Sequence, residues 1–225
     1  MAQAFRQAGV TRAVMAGGIH RARAIFEARP DWGAVSLALR LHRFGDDAIL
    51  RALAEYLQES GISIVAVTEY LPEVVAPVGH LAGPLLTAGQ EKDVSLGAEV
   101  ARLLGRADVG QTAVIKGGHV LALEAVEGTD ETIRRGARLG GAGVVVVKVS
   151  KPGQDERFDL PAVGTKTLDV MRDCRASVLA IEGGRTLLLD AAQLFAEAER
   201  AGISVVGVSS HLHVGLSPTG GLKKN

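Results

Sequence analysis

The apolar run Val145-Val146-Val147 gives way to Lys148-Val149-Ser150-Lys151-Pro152-Gly153-Gln154-Asp155-Glu156-Arg157-Phe158-Asp159-Leu160-Pro161, a dense set of charges at the end of a β-branched segment. Open α/β sheets bind their ligands just beyond the carboxyl ends of strands, so both the position and the composition suit a site. Asp155, Arg157 and Asp159 alternate, and an extended backbone would turn all three to one side. Two carboxylates beside a guanidinium can hold Mg²⁺ and grip a phosphoryl oxygen together. Lys148 and Lys151 add point charges for a diphosphate, and Gln154 can orient a water or bond a sugar hydroxyl. Gly164-Thr165 then opens a helix whose first N–H groups can face an anion. One of these residues alone would fit a solvated surface loop, but together they fit phosphoryl chemistry.

A second constellation precedes the first. Glu127 falls at the end of an apolar strand, and Gly128-Thr129-Asp130 begins the next helix, a geometry suited to a phosphate or a metal-bound phosphate. Helix capping accounts for Thr129 or Asp130 but not for Glu127. Gly17-Gly18, after a strand, reads either as a tight turn or as a backbone approach to substrate, and the full G-x-G-x-x-G pattern of dinucleotide binders is absent. Gly45-Asp46-Asp47 reads as a helix start, Gly117-Gly118 and Gly183-Gly184 as hairpin turns. His211-Leu212-His213 has no carboxylate or third histidine beside it and reads as structural rather than metal-binding.

The elements that must carry these residues follow from pattern and composition. The chain has 225 residues, 47% of them hydrophobic and only 4% aromatic, which favours helices packed tightly on a sheet. Lys plus Arg and Asp plus Glu balance at 25 each, without the basic excess of a nucleic-acid binder. Cys174 stands alone, so it forms no internal disulfide and reads as a small core residue in a reducing cytoplasm. No run approaches the roughly 20 apolar residues of a membrane span, and the first residues, Met1-Ala2-Gln3-Ala4-Phe5-Arg6, carry no apolar signal segment. The expectation is a protein neither exported nor membrane-spanning, with peripheral contact to lipid left open.

Strands are expected over residues 10–16, 62–67, 112–115, 120–126, 143–149, 178–181, 186–189 and 203–208, and helices over 46–60, 94–104, 130–139, 167–174 and 191–201. Residues 112–126 and 178–189 read as two hairpins. The turn-rich stretch over 71–90 marks the boundary. The fold class is α/β in two domains: residues 1–88 as a Rossmann-like parallel α/β domain, and residues 89–225 as a mixed-sheet α/β domain carrying the charged loop.

Three segments carry a resemblance to a known family: 108–116, Asp-Val-Gly-Gln-Thr-Ala-Val-Ile-Lys; 121–130, Leu-Ala-Leu-Glu-Ala-Val-Glu-Gly-Thr-Asp; and the Lys151 to Pro161 loop with Gly164. They resemble the I-type UDP-2,3-diacylglucosamine pyrophosphatases of lipid A biosynthesis, and Gly45-Asp46-Asp47 and Leu71-Pro72 match less tightly. The resemblance implies Mg²⁺-dependent hydrolysis, with Mn²⁺ as a substitute, of UDP-2,3-diacylglucosamine to UMP and 2,3-diacylglucosamine 1-phosphate by water attacking the sugar-side phosphorus. It implies a cytoplasmic homodimer, peripheral on the inner membrane of a Gram-negative cell. On this reading Asp155 and Asp159 bind metal or activate water, Glu127 and Asp130 form a second carboxylate pair, and Gln154, Arg157 and Lys151 act at the diphosphate. Lys148, Gly164, Thr165, Gly128, Thr129, Gly17 and Gly18 then contact substrate. A non-catalytic module holding a nucleotide or lipid phosphate, and a hydrolase of another nucleotide sugar, are the alternative readings. Against the family pattern, a first βα unit is expected upstream of Met1, and His20-Arg21-Ala22 lacks an Arg-Pro pair, so the first domain is expected to be incomplete.

Overall fold

A computed structural model describes residues 2–15, 46–153, 155–157 and 160–210. Contacts divide the chain into two units, one of Met1–Val74 with Gly153–Leu160 and one of Val75–Pro152 with Pro161–Asn225. In the first unit, helix α1 (Ala2–Gln7) leads into strand β1 (Arg12–Val14), and helix α2 (Asp46–Glu59) into strand β2 (Ser63–Val65). The two strands pair in parallel, Ala13 opposite Ile64, and Ala2, Ala54, Leu57, Ile62 and Ile64 form a small apolar core. Two short 3-10 turns, Val67–Glu69 and Pro72–Val74, close the unit.

The second unit is built on a six-stranded mixed sheet. Its strands are β3 (Gly79–Ala82), β4 (Thr112–Lys116), β5 (His119–Leu123), β6 (Val145–Lys148), β8 (Val178–Glu182) and β10 (Ser204–Val208), in the order β3-β10-β8-β6-β4-β5. The central strands β10, β8 and β6 run parallel, while β3 and β4 run against them. Strands β7 (Ala162–Val163) and β9 (Leu187–Leu188) form a separate parallel pair.

Period-two alternation explains the layers. Ala113, Ile115, Val145, Val147, Val178 and Ala180 face helix α3 (Ala88–Arg106) through its Val94, Ala98 and Ala101. Val114, Val146, Leu179 and Ile181 belong to the opposite core, with Ile133 of α4 (Thr129–Gly140), Leu168 and Met171 of α5 (Thr165–Asp173), and Leu194 and Ala198 of α6 (Ala191–Ala201). Because both faces are covered, the central strands are apolar between their ends, which is why they read as Val/Ile/Leu-rich runs.

Local signals set the ends of the elements. A capping box starts α3: Thr87 Oγ1 accepts from Gln90 N at 3.3 Å, and Gln90 Oε1 accepts from Thr87 N at 2.9 Å. The Asp93 carboxylate, buried on α3, accepts from Gly117 N at 2.8 Å and Gly118 N at 2.7 Å, which fixes the β4–β5 turn. Lys116 Nζ donates to Gly140 O and Ala142 O, both at 2.7 Å, and so satisfies carbonyls at the end of α4.

Three features differ from the sequence expectation. The 178–189 segment is not a hairpin: β8 already has neighbours on both edges, β6 and β10, so β9 pairs with β7 instead. The turn-rich stretch contains a strand, β3, which is four residues long and bracketed by glycines that hide its periodicity. Because β3 pairs with β10, the contact division falls between Val74 and Val75 rather than at 88/89, and the Gly153–Leu160 loop packs with the first unit. Among the described residues, no helix is long and apolar enough to cross a membrane.

The approach of α3 to the sheet depends on Gly97. A Cβ there would sit 2.4 Å from Val147 Cγ2 and 3.0 Å from Val147 Cβ, both in a close-packed core. Gly97→Val should therefore lower the unfolding free energy by about 1–3 kcal/mol in urea denaturation. An unchanged midpoint would mean that the helix has room to withdraw.

Candidate functional site

The carboxyl ends of the parallel strands gather the polar residues of the second unit. Lys148 ends β6 and pairs in register with Thr112 at the start of β4, while Glu124 follows β5 directly. The Glu124 carboxylate is buried: Oε1 accepts from Thr129 Oγ1 at 3.1 Å and Oε2 from Gln111 N at 3.3 Å. Thr112 Oγ1 lies 3.4 Å from Thr129 Oγ1 and extends the network. The side-chain oxygen of Gln111 is buried and has no hydrogen-bond partner among the described residues. Lys148 Nζ donates to Ala162 O at 3.2 Å. Burial pushes its pKa down, and the charges of Glu124 and Asp130 push it back up.

A neighbouring group forms at the ends of β6 and β8. Glu182, 3% exposed, accepts from Ser150 N at 2.9 Å, and Arg102 Nη2 stands 4.0 Å from its other oxygen while donating to Ser209 O at 2.9 Å. Ser150 Oγ donates to Arg185 O at 3.2 Å. Sequence reasoning missed Glu124, Glu182 and Gln111. The available signal was a carboxylate ending an unbroken apolar run, as in Val178-Leu179-Ala180-Ile181-Glu182.

Several expected residues lie at this end of the sheet. Gly128 is the N-cap of α4 with φ 81°, and Gly164 is the N-cap of α5 in extended backbone; neither helix start takes a side-chain cap. Thr129 begins α4 with its hydroxyl turned to Glu124, and Thr165 begins α5. Asp130 is exposed in the first turn of α4. Glu127 lies in a turn rather than on the strand, since β5 ends at Leu123, and it is ion-paired with Arg135 of α4. Its own backbone N–H and then the Arg135 guanidinium hold its carboxyl below the usual range. Lys151 Nζ bonds Asp108 Oδ1 at 2.9 Å.

Within the first unit, the loop does not run extended through Asp155 and Arg157. Glu156 and Arg157 form a turn, and Arg157 folds back on Asp155: Nε reaches Oδ1 at 2.9 Å, Nη2 reaches Oδ2 at 2.7 Å, and its backbone N reaches Oδ1 at 3.1 Å. Arg51 Nη2 anchors the loop start on Gly153 O at 2.9 Å. The expected alternation of three like-facing side chains is thus replaced at 155 and 157 by a two-bonded fork. Gly17, Gly18, Gln154, Asp159, His211 and His213 lie outside the described residues.

Among the described residues, no group of three or more His, Cys, Asp or Glu is gathered to hold a metal. Asp155 nonetheless has suitable donor chemistry. Among the described residues, Oδ1 already accepts twice from Arg157, but Oδ2 accepts only once and keeps a lone pair, so one hard oxygen donor of the kind Mg²⁺ takes is left.

Residues 1–74 match the LpxI N-terminal domain and residues 77–206 the LpxI C-terminal domain, a division that agrees with the contact boundary after Val74. The UDP-2,3-diacylglucosamine pyrophosphatase LpxI of Caulobacter vibrioides is 37% identical over 180 residues, covering 74% of this chain and 62% of that protein. The chain thus spans 62% of the length of the curated relative it matches.

The Asp155 fork makes a prediction about acid. The Arg157 guanidinium lowers the Asp155 pKa, so the pairing stabilises the loop above the ordinary aspartate value of about 3.9 and is lost only as pH falls through the lower folded value. A carboxyl NMR titration should place Asp155 below about 3.9, and Arg157→Gln should move it up. Equal midpoints in the two proteins would mean that the fork does not persist in solution.

Proposed function

This chain belongs to the LpxI family, and on that footing we propose that it hydrolyses the diphosphate of UDP-2,3-diacylglucosamine in lipid A biosynthesis. The observation that carries the reading is the match to both LpxI domains, supported by identity with a relative named for that activity. The polar strand ends of the second unit support it on chemical grounds, because a half-buried ammonium at the same end of the sheet as two uncapped helix starts suits phosphate oxygens. The products are UMP and 2,3-diacylglucosamine 1-phosphate: water adds to the sugar-side phosphorus, the bridging P–O bond breaks, and the bridging oxygen leaves with UMP.

Each residue has a role in this reading. Asp155 and Asp159 would hold Mg²⁺, with Mn²⁺ as a substitute, and the ion would supply charge neutralisation at the diphosphate. Lys148, Lys151 and Arg157 place positive charge where negative charge develops on the leaving phosphate, and Gln154 orients water. Gly128-Thr129 and Gly164-Thr165 offer backbone N–H groups to phosphate oxygens, and Gly17-Gly18 offer a close backbone approach. Glu127, already paired with Arg135, fits the ordering of the α4 start better than metal binding, whereas the exposed Asp130 stays a candidate ligand. The family resemblance implies a cytoplasmic protein on the inner membrane, and an amphiphilic substrate suits such peripheral contact. A homodimer completes the proposal.

Purified protein should release UMP from UDP-2,3-diacylglucosamine with Mg²⁺ or Mn²⁺ and lose that activity in EDTA. Turnover indifferent to EDTA would falsify the metal role, and binding without UMP release would favour a non-catalytic module. Asp155→Ala and Asp159→Ala should each lower turnover by ~100-fold or more with the fold retained. Full activity in both would shift the chemistry away from this loop.

A further inference from the structure

The Glu124 network has the form of a support for Lys148. Glu124 is 9% exposed, and its two carboxylate oxygens accept from two different segments, Thr129 Oγ1 on α4 and Gln111 N ahead of β4. The chain around it has no slack: a Cβ at Gly110 would lie 2.2 Å from Glu124 O and 2.9 Å from Glu124 Cβ. Thr112, hydrogen-bonded to Thr129, is the strand partner of Lys148, so the same few residues hold Glu124 and seat the lysine.

An ammonium has three N–H donors. Among the described residues, Lys148 gives one of them to Ala162 O, and the carboxylates of Glu124 and Asp130 act on it through space. A carboxylate in direct contact would occupy those donors. One held at a short remove by its own hydrogen bonds favours the charge and leaves the N–H groups for a ligand.

Resting on the pyrophosphatase reading, we propose that Glu124 is a positioning residue: it holds the Lys148 ammonium charged and with donors available at the carboxyl end of β6, where that ammonium binds the diphosphate of the substrate. Glu124 itself does not touch substrate. It acts through Lys148, so the two residues should behave as one unit.

The test is a double-mutant cycle read first by binding. Inorganic pyrophosphate, titrated calorimetrically with Mg²⁺ present, should bind Glu124→Gln about 10-fold more weakly than the parent protein, and Lys148→Met at least as weakly. The double variant should bind no more weakly than Lys148→Met alone, because removing the lysine leaves Glu124 nothing to act on. Independent, additive losses, parent-like binding by Glu124→Gln, or no pyrophosphate binding by the parent would each overturn the proposal. If Glu124→Gln does not fold, Thr129→Val removes one of the carboxylate's hydrogen bonds, and it should weaken binding in the parent but not in the Lys148→Met background. An effect of Thr129→Val that persists in that background would be equally fatal. Pyrophosphate binding with the expected coupling, but no UMP release from UDP-2,3-diacylglucosamine by the parent, would refute the hydrolytic reading and leave the role of Glu124 standing.

Discussion

Covering the central sheet on both faces is the constraint from which the rest of the second unit follows. Val144 to Val147 and Val178 to Ile181 are fully buried, so neither strand can carry a charge along its length. Polar side chains are confined to the strand ends, and a buried polar group left unbonded there would cost about 1–3 kcal/mol. That pressure accounts for the partners found: Glu124 with Thr129 and the Gln111 amide, Glu182 with the Ser150 amide, and Ser150 with a carbonyl. The same bonds that permit burial also fix the side chains. A site at this end is therefore organised by folding before any ligand arrives.

Charged residues fall into two groups by what they do with their hydrogen bonds. Glu127 with Arg135, Asp155 with Arg157 and Lys151 with Asp108 are direct pairs, each with at least one partly exposed partner. Exposed pairs of this kind contribute roughly 0–1 kcal/mol, so their importance is in shaping a loop or a helix start rather than in stability. Lys148 belongs to the other group. Its desolvation is partly offset by carboxylates at a distance, and among the described residues its one hydrogen bond goes to Ala162 O.

Much of the fold was legible because it rests on local periodicity. The helix over 191–201 was read to the residue, and the β4–β5 hairpin followed from two apolar runs around Lys116-Gly117-Gly118-His119. The false hairpin at 178–189 has the same local signature, two apolar runs around glycines, and only the parallel neighbours of β8 distinguish the two cases. Such pairing is non-local, and no window of sequence contains it. For the candidate site residues, placement on elements was legible and hydrogen bonding was not. Lys148, Gly128, Thr129, Gly164 and Thr165 do lie at strand ends and helix starts, whereas the alternation over 155–157 assumed an extended chain where Arg157 turns back. Glu124 and Glu182 were passed over because burial of a carboxylate depends on donors from distant segments.

The placement of Gly153–Leu160 also has a consequence for how the chain is made. Eight residues of the first unit are encoded inside the second, between the neighbouring strands β6 and β8. On the ribosome, residues 1–74 emerge early but wait for a segment that appears only after four strands of the second unit, β3 to β6, have been synthesised together with α3 and α4. The first unit therefore cannot be recovered whole from any contiguous stretch that omits the second. A gene cut at the domain boundary would divide a unit rather than separate two, and insertion or permutation within 153–160 would interrupt both at once.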